Sequence, residues 1–192
     1  MLQLIENKII IVSNEAKLNR YANDTCTEAA NIFQKLNKNI GCTYLIYMYE
    51  NLLRNEKYVY SSNWEWQNLL IGNRLINHCP IFLTAFKYLE NKKSGHIFIP
   101  WHQSPPSNKN EREVCGIRSE FNIANGFGYA AKGYGIRESL AFGGDIKDNS
   151  FYKNFITNPN IFYTILQEMH LIILMQNNNI KKIPDSTMNK IQ

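Results

Sequence analysis

Apolar positions recur along the chain at two spacings, one helical and one alternating. Ala29, Ala30, Ile32, Phe33 and Leu36 form a helical stripe behind Asp24 or Thr25, either of which can cap, and the helix should end before Gly41. Cys42 to Tyr49 and Lys57 to Tyr60 are rich in aromatic and β-branched residues around the turn-forming stretch Glu50–Asn55, which predicts a hairpin. Alternation there puts Tyr44 and Tyr47 on opposite faces. From Tyr60 to Pro80 the chain carries Trp64 and Trp66, then Leu69, Leu70 and Ile76 at roughly helical spacing, and this predicts one helix that stops at the proline. Ile81 to Leu89 predicts another helix, with Pro80 at its start.

The second half repeats the alternation. His96 to Trp101 reads as a strand, Gln103 to Asn110 as a loop around Pro105-Pro106, and Glu111 to Ile123 as a helix. Gly126 to Ala131 and Tyr134 to Gly143 predict a second hairpin turning at Lys132-Gly133. Phe151 to Ile156 and Ile161 to Gln176 close the fold as helices, with Asn158-Pro159 starting the last one. The early patch Ile9–Val12 fits a strand or a first helix equally well. Five strands joined mostly by hairpins predict a mixed α+β fold, an α-β-α sandwich around a five-stranded antiparallel sheet of the PAS/GAF kind. The domain is expected over residues 1–176, and residues 177–192 form a polar tail or the start of a linker.

Composition narrows the function classes. At 192 residues and 44% hydrophobic, the chain is long enough for a real core in one domain. Its net charge of +5 comes from scattered Lys and Arg, which falls short of the dense basic face of a nucleic-acid binder. The four cysteines (Cys26, Cys42, Cys79, Cys115) contain no Cys-x-x-Cys and have no zinc spacing with the four histidines. They read as reduced thiols of a cytoplasmic protein without metal or cofactor. The run Leu171–Met175 is far too short for a bilayer, so no membrane partner is expected. Cys79 beside His78 invites a nucleophile reading, but no helix N-terminus or basic cluster is evident to activate the thiol, and an enzyme is not expected. The paired glycines lack the strand–loop–helix context of a phosphate cradle.

Three local patterns in this element order carry a resemblance: Trp66 followed by Pro80, Trp101 after the next helix, and Phe121-Asn-Ile-Ala-Asn-Gly126-Phe before the last hairpin. Over about residues 20–175 the chain resembles the autoinducer-binding domain of LuxR-type quorum-sensing regulators. The resemblance implies an acyl-homoserine lactone held between the sheet and one helical layer. It makes Trp66 the donor to the lactone carbonyl, Trp101 the aromatic packed on its ring and Gly126 a structural glycine. It also implies a homodimer, and DNA binding only through a helix-turn-helix domain that residues 177–192 cannot form.

Two positions depart from the family's pattern. A tyrosine is replaced by Leu70, and the aspartate that accepts from the lactone amide, immediately before Pro80, is Cys79. Replacing a charged acceptor by a weak one forfeits a bond worth about 1.5–3 kcal/mol. The expected ligand is therefore a small, mainly apolar signal rather than the usual lactone. Tyr44, Tyr60, Ser139 and Ala141 join Trp66, Leu70, Cys79 and Trp101 as candidate pocket residues, the last pair of the first four because small side chains on one strand face leave room for a ligand. The competing reading of the two tryptophans is plain core, and the competing function is a solitary interaction or dimerisation module, or an effector, that has lost sensing.

Overall fold

Residues 21–54 and 56–180 are described by a computed structural model. The apolar patch Ile9–Val12 and the tail from residue 181 lie outside them. Helix α1 (Tyr21–Ile40) is followed by the hairpin β1 (Cys42–Asn51) and β2 (Glu56–Ser61). The Asn51 side chain accepts from the backbone N–H groups of Leu53 and Arg54, both at 3.1 Å, and so closes the turn. Helix α2 (Trp64–Gly72), a 3₁₀ turn (Leu75–His78) and helix α3 (Pro80–Leu89) lead to β3 (Gly95–Pro100). A second 3₁₀ turn (Trp101–Gln103) and α4 (Lys109–Glu120) precede the hairpin β4 (Ala124–Gly133) and β5 (Ile136–Gly144). Helices α5 (Ser150–Thr157) and α6 (Asn160–Ile180) complete the described chain.

The five strands form one antiparallel sheet in the order β2-β1-β5-β4-β3, flanked by helices on both faces as expected. Alternation along β1 divides the core. Leu45, Tyr47 and Tyr49 join α1, α5 and α6 on one face, whereas Tyr44 and Ile46 join α2, α3 and α4 on the other. A bulge between Cys42 and Tyr44 resets the phase, which is why Cys42 falls in the first group.

Several boundaries differ from the sequence reading. Asp24 and Thr25 lie inside α1 rather than before it. The expected single helix from Tyr60 to Pro80 breaks after Gly72, where Asn73 caps and Arg74 turns left-handed at φ 56°. Leu75 and Ile76 then pack from the 3₁₀ turn, so an apolar spacing that looked continuous is shared by two elements. Trp101 starts a turn just past β3 instead of ending the strand, and α4 stops at Glu120. Lys132 and Gly133 are paired strand residues. The second hairpin turns at Tyr134-Gly135, whose φ values of 51° and 78° fit a two-residue turn with both centres left-handed. Helix α6 runs four residues beyond Gln176, to Ile180.

Candidate functional site

Asn63 starts the site by capping α2: its side chain accepts from the Trp66 N–H at 2.9 Å. That fixes the first turn and drives Trp66 inward, where only 2% of it is exposed, with Leu70 one turn later on the same side. Pro80 begins α3 and leaves Cys79 in its cap position. Tyr44 from β1, Trp101 after β3, Val114 from α4 and Ile123 just beyond complete the buried cluster, with Ala141 of β5 packed against it. Six of the candidates thus converge: Tyr44, Trp66, Leu70, Cys79, Trp101 and Ala141. Ser139 shares the strand face of Ala141, two residues nearer the hairpin turn. Tyr60 does not join them; it pairs with Tyr47 across the sheet and belongs to the cluster under α1, α5 and α6.

The segment Asn122–Phe127 shapes the floor. Asn122 and Asn125 take left-handed backbone, at φ 56° and 49°, and the register shifts between Ala124 and Phe127. Asn125 is tied across to Asn149 at 3.0 Å and to the Asp145 carbonyl at 3.4 Å. The bulge lays Gly126 directly under the Trp101 indole. A Cβ added at Gly126 would come within 2.6 Å of two indole carbons, and one at Gly143 within 2.9 Å of one of the same carbons and 3.0 Å of a third. Both positions exclude a side chain because Trp101 lies flat on the sheet there.

The polar groups are unequally served. The Tyr44 hydroxyl donates to Oε1 of the buried Gln67 at 3.5 Å, and the Trp66 side chain lies beside that hydroxyl, favouring its ionised form. The donor that the resemblance offers to a ligand carbonyl thus neighbours the Tyr44 hydroxyl. Trp101 Nε1 is buried and has no hydrogen-bond partner among the described residues. The same holds for Nε and Nη1 of Arg118, whose guanidinium lies 4.7 Å above the Trp101 ring.

Cys79 corrects one expectation. It does stand at a helix N-terminus, with backbone N–H groups of Phe82 and Ile81 and the charge of Arg118 all favouring the thiolate. Burial outweighs them, and the thiol is held above its ordinary range. Tyr44 is likewise pushed up, first by burial and then by Cys79. Neither group is poised for proton transfer or nucleophilic attack at neutral pH. No group of three His, Cys, Asp or Glu side chains among the described residues could hold a metal, and no helix there is long and apolar enough to cross a membrane.

Arg118 and Gln67 are the site residues that sequence reading missed. Arg118 follows the buried Val114 by four residues, so helical spacing alone places it on the inner side of α4. Gln67 adjoins Trp66 and had no apolar signal to mark it.

The cluster is closed by its own side chains, and a depression of about 650 Å³ opens at its Trp101 end. Arg118, Gly126, Asn125, Tyr152 and Lys153 line it beside Trp101. Tyr152 Oη and His102 Nδ1, 3.2 Å apart, tie α5 to the 3₁₀ turn after β3 at this end.

No protein-family model matches the chain, and no curated protein does. Among solved structures, Escherichia coli SdiA matches with a TM-score of 0.50 at 10% identity, over 84% of this chain and 67% of that one. SdiA in complex with octanoyl-rac-glycerol scores 0.49 at 9% identity, over 83% of this chain and 67% of that one. The N-acylhomoserine lactone dependent LuxR family transcription factor CepR2 from Burkholderia cenocepacia scores 0.49 at 11% identity, over 81% and 99%. The helix-flanked five-stranded sheet described above is a fold this chain shares with Escherichia coli SdiA.

Proposed function

We propose that this chain is the signal-sensing domain of a LuxR-type transcription regulator, and that its signal is a small, mainly apolar molecule other than an ordinary acyl-homoserine lactone. The reading is supported above all by convergence. Trp66 and Leu70 from α2, Cys79 from the cap of α3 and Trp101 from the turn after β3 are three separate segments that meet in one buried cluster between the sheet and α2–α4. The fold shared with SdiA is compatible with it. Against the usual lactone stand the Tyr44 hydroxyl beside the Trp66 indole and the neutral thiol at Cys79. The unpartnered Trp101 Nε1 is the donor left for a ligand acceptor. On this reading the domain is cytoplasmic, works as a homodimer and reaches DNA only through a separate helix-turn-helix domain.

A thermal-shift screen of the full chain against acyl-homoserine lactones, fatty acids and neutral lipids tests the proposal. A ligand at one hundred times its Kd adds about 2.7 kcal/mol, which for a chain of this size is a rise in Tm on the order of 5–10 °C. Apolar signals should produce it and ordinary lactones should not. Absence of stabilisation by every member would sink the sensor reading.

The alternative, an interaction module, has one observation in its favour. Leu53 and Tyr134 are 82% and 93% exposed at the tips of the two hairpins, which touch through the Leu52 N–H and the Gly135 carbonyl at 2.7 Å. Light scattering of the wild type against a Leu53→Ser, Tyr134→Ser double variant distinguishes it: loss of a partner or of self-association on substitution favours the module.

A further inference from the structure

Arg118 presents a problem that the apolar reading leaves unsolved. Two of its guanidinium nitrogens are buried without a hydrogen-bond partner among the described residues, and a third donates only to Cys115 Sγ at 3.9 Å. A buried donor left unmet forfeits the hydrogen bond it made to water, and the loss is greater when it carries charge. Stacking on Trp101 offsets part of that, since it satisfies the flat face of the guanidinium but none of its edge N–H groups.

Among the described residues no carboxylate forms an ion pair with Arg118. The groove over Arg118 is lined by no Asp or Glu, and its one other fixed cation is Lys153. Among the acids of the adjoining loop, Asp145 accepts from the Lys147 N–H, and Asp148 accepts from both the N–H and the hydroxyl of Ser150. Asp148 lies within Coulomb range of Lys153 but does not line the groove. Amide side chains of Asn125 and Asn149 occupy the wall, Asn149 being held by Asn125. A half-buried guanidinium with unmet N–H groups, on a residue that lines a carboxylate-free groove, is suited to recognising a planar or tetrahedral oxyanion.

We propose that the groove beside Trp101 binds an acidic group, a carboxylate or a phosphate on a small ligand, through Arg118 with Lys153 at its mouth. The anion contact deepens the sensor reading by giving its apolar signal an acidic end, and rests on that reading for its biological use.

The test uses the full chain at constant ionic strength and neutral pH. Melting temperature is followed with octanoate, octyl phosphate and octanol, and with acetate and inorganic phosphate as headgroups without a tail. The Nε–H resonance of Arg118 is recorded in parallel by ¹⁵N NMR. The acidic amphiphiles should stabilise at concentrations about tenfold lower than octanol, the ratio expected for one charge-assisted contact. They should also move the Arg118 resonance. Comparing octanoate with octyl phosphate, and acetate with inorganic phosphate, assigns the headgroup. Arg118→Met should retain the wild-type circular dichroism and lose the preference for acids, while Lys153→Gln should weaken it. Should Arg118→Met not fold, the wild-type resonance still decides.

Equal stabilisation by octanol and octanoate, or a preference untouched in Arg118→Met, overturns the anion site and leaves the sensor reading standing. A shift of the Arg118 resonance by acetate or phosphate, without stabilisation by any tailed compound, supports the anion site and counts against the apolar signal. Silence of both readouts to all the anions, or an adventitious response unchanged in the variants, overturns the inference.

Discussion

Trp101 shows how single residues decide this site. The indole rests on Gly126 and Gly143, and a methyl at Gly126 would also approach the Phe142 carbonyl oxygen at 2.5 Å. Backbone on one side and a buried ring on the other leave little to yield. Gly126→Ala should therefore destabilise by about 1–3 kcal/mol, read as a lower urea midpoint with an unchanged slope. A midpoint equal to wild type would mean that Trp101 is not seated on this floor. The tryptophan and the glycine were both legible as motif residues, but their stacking was not, because residues 25 apart in sequence meet only through the bulge at Asn125. Thiol chemistry gives a second prediction. Burial raises Cys42 to about 12 from 9.0, with backbone hydrogen bonds of Tyr44 and Gly143 as lesser opposing influences. A folded pKa above the unfolded one favours the protonated native state. Its stabilisation is therefore complete below pH 9 and is lost as pH rises toward 12. Stability should fall there by up to about 1.4 kcal/mol per pH unit from this group, and Cys42→Ala should flatten that slope. In the native state at neutral pH, a thiol reagent should modify the half-buried Cys115 before Cys42 or Cys79.

Among the elements, the ones with uninterrupted patterns were legible and the ones sharing a pattern were not. The alternation in β1 correctly separates Tyr44 from Tyr47, because a strand with helices on both faces must sort its side chains by parity. The break after Gly72 escaped because Ile76 continues the apolar spacing from a different element. The turn of the second hairpin was placed two residues early for a related reason: glycine marks both Gly133 and Gly135, and only the second has positive φ. Tyr134 occupies a left-handed position that favours Asn, while its ring is 93% exposed. Tyr134→Asn should raise Tm by a small amount, on the order of 0.5 kcal/mol in stability. Asn63→Ala removes the cap of α2 and should cost about 1 kcal/mol. Because α2 carries Trp66 and Leu70, this loss should also weaken any ligand more than a surface change of equal cost; paired melting curves with and without octanoate measure both effects.

For the whole molecule, the sheet order explains what no local signal could. Both hairpins were readable in sequence, but the pairing that joins them, β1 with β5, links Cys42 to Gly144 across about a hundred residues. That junction lies at the centre of the sheet and is covered on both faces, by α1 and α5 on one side and by the Trp66 cluster on the other. The same architecture predicts a gradient of local stability. Amides of β1 and β5 have ladder partners on both sides and sit between two buried clusters, so they should exchange only by global unfolding. The segment from Gly72 through the 3₁₀ turn Leu75–His78 contains no buried residue in that turn and is held by short-range backbone bonds such as Asn77 N–H to the Arg74 carbonyl at 3.1 Å. It should open at much lower free energy. Hydrogen exchange followed by mass spectrometry should find β1 and β5 slowest and residues 72–79 among the fastest of the structured positions, with a bound signal slowing that segment selectively. Opening there would free the cluster at Cys79 without disturbing the central strands, which is the motion a ligand needs to enter a layer closed by its own side chains. Uniform protection across α2 and the turn would remove that route and leave the groove at Arg118 as the way in.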